Sequence, residues 1–574
     1  MAVRPRQAGH GRGRTTGGGV RFGIRRPPNG SARTARGPWS PRRPPGWGVA
    51  VIPAQSARTV RAVRAVVVGA GFSGIGAAVR LREAGFNDVL VLEKGTQLGG
   101  TWRENTYPGC ACDVPSTLYS YSFTPDAAWS RVFAGQREIL AYLRATAERY
   151  RLDDMLRCRV QVLGARWDGA AGRWLLETSD GPYSAAVLVL ATGPWHVPRR
   201  LEVPGIEDFN GPTFHTARWD HSVDLAGRRV TVVGSGASAV QIVPAIEAQT
   251  SAVNLFQRTA QWVLPKPDVP VPAAFNGLLD RVPGARGALR AGQYALQEGF
   301  GYAFRHPRAA RLLEAGARAH LRLAVRDRQL RRQLTPDHQL GCKRLLTSST
   351  FYRALSQPHV RLHPTAVTAV RGNEVVGDDG TTVETDVLIE ATGFRVGELP
   401  LSKTLYGTDG RTLDEAWGGE PQAYLGTTAS GFPNLFLLLG PNLLGGSTSA
   451  ITVLEAQLTY LIAALAHLDR SGHRALDVRS AAQAVHNTAV QEALATTVYN
   501  AGGCTSYYFT STGRNIFAWP WSTGRLVRRL SRFDAEAYTS DAPAWPLSLP
   551  AQARPQPGEP TVAANADECG PPPG

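Results

Sequence analysis

The sequence lacks any uninterrupted apolar run that approaches the roughly 20 residues of a membrane-spanning helix. Its most apolar stretches, such as residues 435–440, have the length of a single strand. We therefore predict that no segment crosses a membrane and that the protein is cytoplasmic. The chain has 574 residues, of which 43% are hydrophobic, so it is long enough for two or three domains with sizeable cores.

Cysteine is also scarce, and its six positions show no regular spacing. A chain without a cysteine framework suits a reducing compartment. Cys110 and Cys112 could form a redox pair, but two small turn residues near a cofactor are the better interpretation. The Cys-x4-Cys pair of flavin disulfide reductases is absent, which argues against that enzyme class. The six cysteines are Cys110, Cys112, Cys158, Cys342, Cys504 and Cys569.

Acidic residues and lysine are missing from residues 1–60, which contain 12 arginines. The whole chain has a net charge of +17, but without this tail 51 basic residues (63 less 12) face 46 acidic ones, a net charge of only +5. The tail is rich in Gly, Pro and Arg and has no hydrophobic periodicity. We predict disorder for residues 1–60 and for the Pro- and Ala-rich residues 536–574.

The basic tail leaves three interpretations open. It could bind nucleic acid through the phosphates, it could be a targeting sequence, or translation could start later, near Val51. No apolar segment follows Arg25 and Arg26, which argues against a secretory signal. We favour an inert tail or a later start, and we expect no nucleic-acid partner.

An apolar strand runs into a glycine-rich turn at residues 65–74, with the pattern G-x-G-x-x-G. A helix over 75–84 and a strand over 88–93 follow. The glycines permit a tight turn, close approach to a pyrophosphate, and close packing of helix and strand, while the helix N-terminus attracts phosphate. Glu93, 19 residues after Gly74, can accept hydrogen bonds from ribose hydroxyls. The predicted nucleotide contacts of this unit are Gly69, Gly71, Phe72, Ser73, Gly74, Glu93 and Lys94.

A second glycine-rich turn repeats the design after a strand over 228–233, with Ala239 in the third glycine position. Arg258 falls 19 residues after Ala239, at the offset that Glu93 has from Gly74. A guanidinium can pair with a 2′-phosphate, which a carboxylate would repel, so this unit predicts NADPH and the first predicts an unmodified ribose. Arg258 could also be an ordinary surface charge. The predicted contacts are Gly234, Ser235, Gly236, Ala237, Ser238 and Arg258.

Two further strands end in Ala-Thr-Gly, at Gly193 and at Gly393, one after each nucleotide unit. This repetition predicts an α/β fold with two Rossmann-like dinucleotide-binding domains, the second inserted into the first. Residues 272–335 have helical spacing and are predicted as a helical insertion in the second domain. The first domain is predicted to comprise 61–208 and, after the insertion, 396–535, with a linker over 209–220 and the second domain over 221–395.

The motifs together resemble the flavin-dependent Baeyer–Villiger monooxygenases, a class B flavoprotein monooxygenase family. Phe209-x-Gly-x-x-x-His215-x-x-x-Trp219-Asp220 matches that family's fingerprint, and segments 99–102, 107–113 and 341–344 are similar to its active-site segments. The resemblance covers most of residues 62–535 and implies two cofactors, FAD and NADPH. It also implies that O2 reacts through a C4a-peroxyflavin, which inserts one oxygen next to a ketone carbonyl to give an ester or lactone.

The resemblance also implies the roles of individual side chains. Arg344 is the candidate for the catalytic charge and Asp113 for its orienting partner, while Lys343 joins Arg258 on the 2′-phosphate. His215 and Trp219 are expected to set the geometry between the two cofactors rather than to touch substrate. The alternatives are surface cations at 343 and 344 and a helix-capping Asp113. The predicted cofactor contacts from these segments are Gly100, Thr101, Trp102, Asp113 and Lys343.

Two functional alternatives stay open at this point. An N- or S-oxygenating flavin-containing monooxygenase would share both nucleotide turns, but its fingerprint lacks the Trp-Asp pair. The second alternative is a non-catalytic nucleotide- or nucleic-acid-binding protein, which would explain the arginine-rich tail. Residues 504–521 differ from the corresponding segment of the best-known cyclic-ketone enzymes, so the sequence does not identify the ketone.

Overall fold

The computed structural model describes residues 60–445 and 448–540, so nearly all of the predicted N-terminal tail and residues 541–574 lie outside the described part of the chain. The described residues form 20 strands. They are β1 (Arg61–Val68), β2 (Val89–Glu93), β3 (Leu156–Cys158), β4 (Val162–Asp168), β5 (Arg173–Thr178), β6 (Gly181–Leu190), β7 (Thr213–His215), β8 (Arg229–Val233), β9 (Ala252–Phe256), β10 (Val263–Leu264), β11 (Leu346–Thr347), β12 (Val360–His363), β13 (Val367–Arg371), β14 (Glu374–Gly377), β15 (Thr382–Glu384), β16 (Val387–Glu390), β17 (Leu405–Tyr406), β18 (Leu435–Leu437), β19 (Leu476–Val478) and β20 (Tyr538–Ser540).

The same residues form 14 α-helices. They are α1 (Phe72–Glu83), α2 (Thr101–Glu104), α3 (Gln136–Arg149), α4 (Ala237–Ile246), α5 (Ala273–Arg281), α6 (Ala285–Arg305), α7 (Pro307–Ala324), α8 (Arg328–Gln333), α9 (Phe351–Leu355), α10 (Leu413–Trp417), α11 (Ala450–Ser471), α12 (Ser480–Leu494), α13 (Val498–Ala501) and α14 (Thr523–Leu530). Helices and strands alternate through both nucleotide units, which confirms the α/β class.

The first sheet has the order β17-β4-β5-β6-β1-β2-β3, and β18 also pairs with β6. β1 is parallel to both β2 and β6. Its side chains point alternately into two apolar clusters, with Val67 in one and Val66 and Val68 in the other. Burial on both faces explains why this strand is a continuous apolar run in the sequence.

The second sheet consists of parallel strands in the order β12-β9-β8-β16-β7. In the chain, its strands all lie between β6 and β18, which pair with each other in the first sheet. β7 comes from the predicted linker, and its His215 lies opposite Glu390 of β16. The boundary predicted at 220–221 therefore cuts through this unit, because three residues of the linker form an edge strand of the second sheet.

The helical insertion predicted over 272–335 corresponds to α5–α8. α7 buries Ala310, Ala317 and Leu321, whose spacings of seven and four residues put them on one helix face. This face packs toward β10 and α6. The predicted C-terminal tail begins too early, since β20 pairs with β19 across residues 538–540.

One helix among the described residues, α11, is long and apolar enough to cross a membrane by length and composition. Residues such as Gln457 and His467 interrupt its sequence, so it contains no uninterrupted apolar run of membrane-spanning length. Its most apolar window is 61% buried within the protein. Leu454 and Leu458 belong to the same apolar cluster as Val67 of β1, and the helix packs on α1 and α14. These are the contacts of a core helix.

Candidate active site

A cavity of about 1970 Å³ is bordered by both glycine-rich turns and by the segment that carries Arg344. Pockets for one drug-sized ligand measure about 300–1,000 Å³, so this space is large enough for more than one ligand. The cavity brings together nearly all of the residues predicted from the first unit. Those that line it are Gly69, Gly71, Phe72, Ser73, Glu93, Lys94, Gly100, Thr101, Trp102 and Asp113.

The first glycine-rich turn is packed too tightly for side chains. Gly69 has φ +103°, and a Cβ atom there would lie 2.8 Å from the carbonyl oxygen of Ala191. A Cβ on Gly74 would lie 1.8 Å from the oxygen of Gly69, which fits its predicted packing role between helix and strand. Gly71 borders the cavity beside Gly100, whose Cβ would lie 2.9 Å from the Cα of Gly71. This open, side-chain-free edge at the start of α1 fits the close approach of a pyrophosphate.

Glu93 is buried at the end of β2, at the edge of the cavity. Its Oε2 accepts a hydrogen bond from the backbone N–H of Ala70 at 2.9 Å, and its Oε1 accepts one from that of Gly95 at 2.7 Å. Arg103 completes the arrangement with an ion pair of 3.0 Å. The carboxylate is therefore held rigidly beside the turn, at the edge of the cavity. Sequence reasoning missed Arg103, although it directly follows Trp102.

The second turn repeats the packing of the first on the other sheet. Gly234 has φ +108°, and a Cβ there would lie 2.4 Å from the carbonyl oxygen of Ala391. Each turn thus packs against the first residue of an Ala-Thr-Gly segment, Ala191 in one sheet and Ala391 in the other. This explains why the same tripeptide follows each unit. The predicted residues that line the cavity here are Gly234, Ser235, Gly236, Ala237, Ser238, Arg258 and Lys343.

Arg258 and Lys343 bring two positive charges to one end of the cavity. Burial lowers the pKa of Lys343, and the nearby charge of Arg258 lowers it further. Within residues 60–445 and 448–540, Arg258 has no carboxylate at ion-pair distance. Two cations that repel each other and share the wall of a cavity form a good site for a doubly charged anion such as a 2′-phosphate.

Arg344 and Asp113 form a bidentate ion pair at the cavity wall. Nη2 of Arg344 lies 2.9 and 2.8 Å from the two carboxylate oxygens, and Nε lies 3.3 Å from Oδ2. The charge of Asp113 raises the pKa of the guanidinium, so Arg344 is always a cation. Burial raises the pKa of the Asp113 carboxyl, but the charge of Arg344, its hydrogen bonds to the carboxylate and the charge of Lys266 together hold that pKa below its usual value. The structure therefore contains the predicted ion pair between Arg344 and Asp113.

Aromatic side chains surround this ion pair, and the sequence alone did not indicate them. The guanidinium carbon of Arg344 lies 5.5 Å from the ring centroid of Trp195, a cation–π contact. Tyr507 also faces the cavity; burial raises the pKa of its hydroxyl, and the charge of Arg344 opposes that rise. Tyr507 and Tyr508 pack edge to face with ring centroids 4.9 Å apart. Both tyrosines belong to residues 504–521, whose sequence differs from that of the best-known cyclic-ketone enzymes. This difference was the one sequence feature that could have indicated their place in the site.

A disulfide joins Cys342 to Cys504, with the two Cα atoms 6.1 Å apart. The irregular spacing of the cysteines did not indicate this pair, because folding brings together residues 162 positions apart. The bond connects the Lys343–Arg344 segment to the segment that carries Tyr507. Cys110 and Cys112 are free, in agreement with their interpretation as turn residues.

His215 and Trp219 do not line the cavity. Nδ1 of His215 accepts a hydrogen bond from the N–H of Ala217 at 3.0 Å, so Nε2 carries the proton and donates to the carbonyl oxygen of Gly393 at 3.0 Å. Burial lowers the pKa of His215 to about 4, which keeps the ring neutral. Trp219 packs edge to face on Phe214, with ring centroids 5.0 Å apart. Both residues therefore make these contacts outside the lining of the cavity.

Two contacts connect the units on either side of the cavity, and neither was predicted. Arg218 of the fingerprint forms an ion pair with Glu104 of α2. Gln241 of α4 accepts a hydrogen bond from the hydroxyl of Tyr107 at 3.2 Å and donates one to the oxygen of Ala111 at 3.0 Å. The second unit thus packs directly on the segment that leads to Asp113.

Comparison with known proteins identifies the family. The chain is 44% identical over 484 residues to a Baeyer–Villiger monooxygenase of Streptomyces coelicolor, and the match covers 84% of this chain and 93% of that protein. The chain belongs to the Baeyer–Villiger monooxygenase family. A family model described as pyridine nucleotide-disulphide oxidoreductase also matches residues 66–272, the range that contains both glycine-rich turns.

Solved structures agree with this family membership. A cyclohexanone monooxygenase from Rhodococcus sp. Phi1 bound to NADP+ superimposes with a TM-score of 0.75, with 26% identity over 84% of this chain and 100% of that one. OTEMO in complex with FAD and NADP gives a TM-score of 0.76, with 25% identity over 84% of this chain and 100% of that one. The predicted family, enzyme class and cofactors of this Baeyer–Villiger monooxygenase are confirmed. These relatives do not favour the N- or S-oxygenating alternative.

Proposed function

We propose that the enzyme oxidises a ketone to an ester or lactone, with FAD held at the first glycine-rich turn and NADPH at the second. One oxygen atom of O2 enters the product next to the carbonyl, the other leaves as water, and NADPH supplies the two electrons. The observation that carries the proposal is the Arg344–Asp113 ion pair, which faces the cavity that both turns border.

The residues around the first turn fit FAD. The glycine edge at Gly71 admits the pyrophosphate, and Glu93 offers carboxylate oxygens to the ribose hydroxyls. FAD, when bound and reduced, supplies the chemistry that activates O2. The chain's own residues then have to hold the flavin, admit the ketone and control charge at the reacting oxygen.

The residues around the second turn fit NADPH. Arg258 and Lys343 supply the positive charges for the 2′-phosphate, and the turn at Gly234 admits the pyrophosphate. We assign the second sheet and α5–α8 to this domain, with β7 as its edge. His215 ties the fingerprint to the carbonyl of Gly393, so it holds the fingerprint segment in place on the second sheet rather than taking part in the chemistry.

Arg344 supplies a permanent positive charge where negative charge develops on oxygen. At about 4 Å and an effective dielectric constant of about 20, one such contact is worth about 4 kcal/mol, or roughly a thousandfold in rate or equilibrium. Asp113 holds one edge of the guanidinium with three hydrogen-bond contacts, which fixes the direction of the charge. Trp195 restricts the same side chain from its face.

The test is a reaction of the purified protein with FAD, NADPH and O2 against a panel of ketones, with a sulfide and a tertiary amine as comparison substrates. We expect ester or lactone products that gain one oxygen atom, detected by mass spectrometry, and retention of the protein in a cytosolic fraction. Formation of sulfoxide or N-oxide without any ester would contradict the proposal and favour the oxygenation of soft heteroatoms.

A further inference from the structure

The helical insertion contributes an apolar wall to the cavity. α6 lines it with Leu296 and Phe300, and α7 lines it with Leu312, Leu313 and Gly316. Leu296 and Phe300 are four residues apart, as are Leu312 and Gly316, so each pair lies on one face of its helix. α6 and α7 pack against each other, which makes the two faces neighbours. We call Leu296, Phe300, Leu312 and Gly316 the apolar stripe.

The outer part of the stripe is open to solvent. Leu296 is 62% exposed and Leu312 is 78% exposed, although both border the cavity. Apolar side chains exposed beside a binding cavity mark a surface that a ligand covers, since their burial releases about 25 cal/mol per Å². The exposed leucines therefore place an apolar surface at the mouth of the cavity.

The inner part of the stripe leads to the ion pair. Phe300 packs in one apolar cluster together with Leu313, Trp195 and Phe517. Trp195 in turn stacks on the guanidinium of Arg344 at 5.5 Å. Apolar contacts thus connect Phe300 of the stripe to the side chain that packs on the catalytic cation.

The charged side chains of α7 near the stripe have partners outside the stripe. Arg318 of α7 lies over the ring of Trp262, 5.0 Å from its centroid, and Glu314 accepts a hydrogen bond from the backbone N–H of Leu340 at 3.0 Å. Among the described residues of α5–α8, no charged side chain lines the cavity, and Gln297 is the one polar residue that does. A charged ligand would find no partner on this wall.

We propose that the substrate is a ketone with an uncharged apolar chain, which lies along the apolar stripe while its carbonyl lies beside Arg344. This inference rests on the proposed ketone oxidation and adds the class of ketone. Each methylene that the stripe covers contributes about 0.8 kcal/mol, which is about a fourfold rise in kcat/KM. A terminal carboxylate on the chain would lose its hydration without gaining a partner, so it would be a poor substrate.

Gly316 allows the stripe to be blocked without disturbing the fold. A Cβ atom there meets nothing within 4 Å, and glycine is a poor residue for a helix interior, so phenylalanine can be accommodated. Gly299 of α6 is a matched control, because it is also exposed with nothing within 4 Å of its Cβ but does not line the cavity. Gly316→Phe should obstruct the stripe, and Gly299→Phe should not.

The experiment measures kcat/KM for 2-alkanones from four to twelve carbons, and for an oxo acid of matched length, in the wild-type holoenzyme and both variants. We expect the wild-type enzyme to gain about fourfold per methylene until the stripe is filled, and to use the oxo acid at least tenfold less well. Gly316→Phe should lose at least tenfold on the long ketones and keep its rate on 2-butanone. Gly299→Phe should match the wild type.

The outcomes separate the two levels of the proposal. A kcat/KM that does not depend on chain length, a preference for the oxo acid, or an equal loss on short and long ketones in Gly316→Phe would overturn the role of the stripe and leave ketone oxidation intact. A complete absence of ester from every ketone, in a protein that contains FAD and oxidises NADPH, would overturn the proposed function itself.

Discussion

Replacement of Arg344 by alanine should abolish ester formation and leave the earlier half-reaction intact. The guanidinium is held by Asp113 and Trp195 at the cavity wall, far along the chain from either glycine-rich turn. Loss of a contact worth about 4 kcal/mol should lower the rate of ester formation roughly a thousandfold. FAD binding and flavin reduction by NADPH depend on other residues and should remain within a few-fold of the wild type.

The same substitution also affects folding, because it leaves Asp113 without its partner. Removal of one member of a buried ion pair costs about 3–5 kcal/mol, and the cost here should lie toward the lower end since the Asp113 side chain is 23% exposed. The double variant Arg344→Ala/Asp113→Asn removes the unpaired charge and should recover most of the lost stability. It should not recover ester formation, which separates the chemical role of Arg344 from its contribution to folding.

The assay has two stages. Anaerobic stopped-flow absorbance follows flavin reduction after NADPH is added, and mass spectrometry then quantifies ester after O2 and ketone are supplied. Thermal unfolding of the holoenzyme reports stability in parallel. Ester formation by Arg344→Ala within tenfold of the wild-type rate would refute the assignment of Arg344 as the catalytic charge.

Three further predictions concern cofactor selection, pH and the disulfide. Arg258→Ala should raise KM for NADPH about 10- to 100-fold and change KM for NADH less than threefold, since only NADPH has the 2′-phosphate; equal changes would remove Arg258 from that site. The lowered pKa of His215, about 4, means that stability is fully present above pH 6.5 and is lost as the pH falls toward 4; at pH 5 the loss is about 2 kcal/mol. His215→Gln, which keeps one acceptor and one donor without a titratable charge, should show a shallower fall in urea unfolding, and an unchanged slope would contradict a neutral buried imidazole. Cys504→Ser should lower the free energy of unfolding by about 2–4 kcal/mol and reduce the effect of a reducing agent on the unfolding temperature, whereas Cys110→Ser should leave that effect unchanged.

Local sequence carried the most reliable predictions. The glycines of both turns are required where the chain reverses direction against an Ala-Thr-Gly segment, and the conformations of Gly69 and Gly234 are set by neighbours in the chain and the adjacent strand. Strand and helix positions could likewise be predicted from apolar periodicity, because that pattern is also a property of short stretches of chain. The boundary between the linker and the second domain and the start of the C-terminal tail were misplaced, because pairing with a distant strand decides both.

The surroundings of Arg344 could be predicted only to a limited extent. Resemblance to a family paired it with Asp113, 231 residues away, but no periodicity or spacing relates Arg344 to Trp195 or to Tyr507. The disulfide between Cys342 and Cys504 was missed for the same physical reason, since sequence spacing carries no information about which distant segments meet. Exposed leucines of α6 and α7 are likewise ordinary helix residues until the cavity beside them is known.

By itself, the sequence determined the two glycine-rich turns, the difference between a carboxylate at 93 and a guanidinium at 258, and the fingerprint of the family. These features depend on a few residues whose chemistry acts over short stretches of chain. Tertiary structure decided that one cavity joins both units, that His215 fixes the fingerprint to Gly393 instead of entering that cavity, and that an apolar stripe leads to Arg344. Those properties depend on how sheets and helices pack, because packing alone brings distant segments within contact distance.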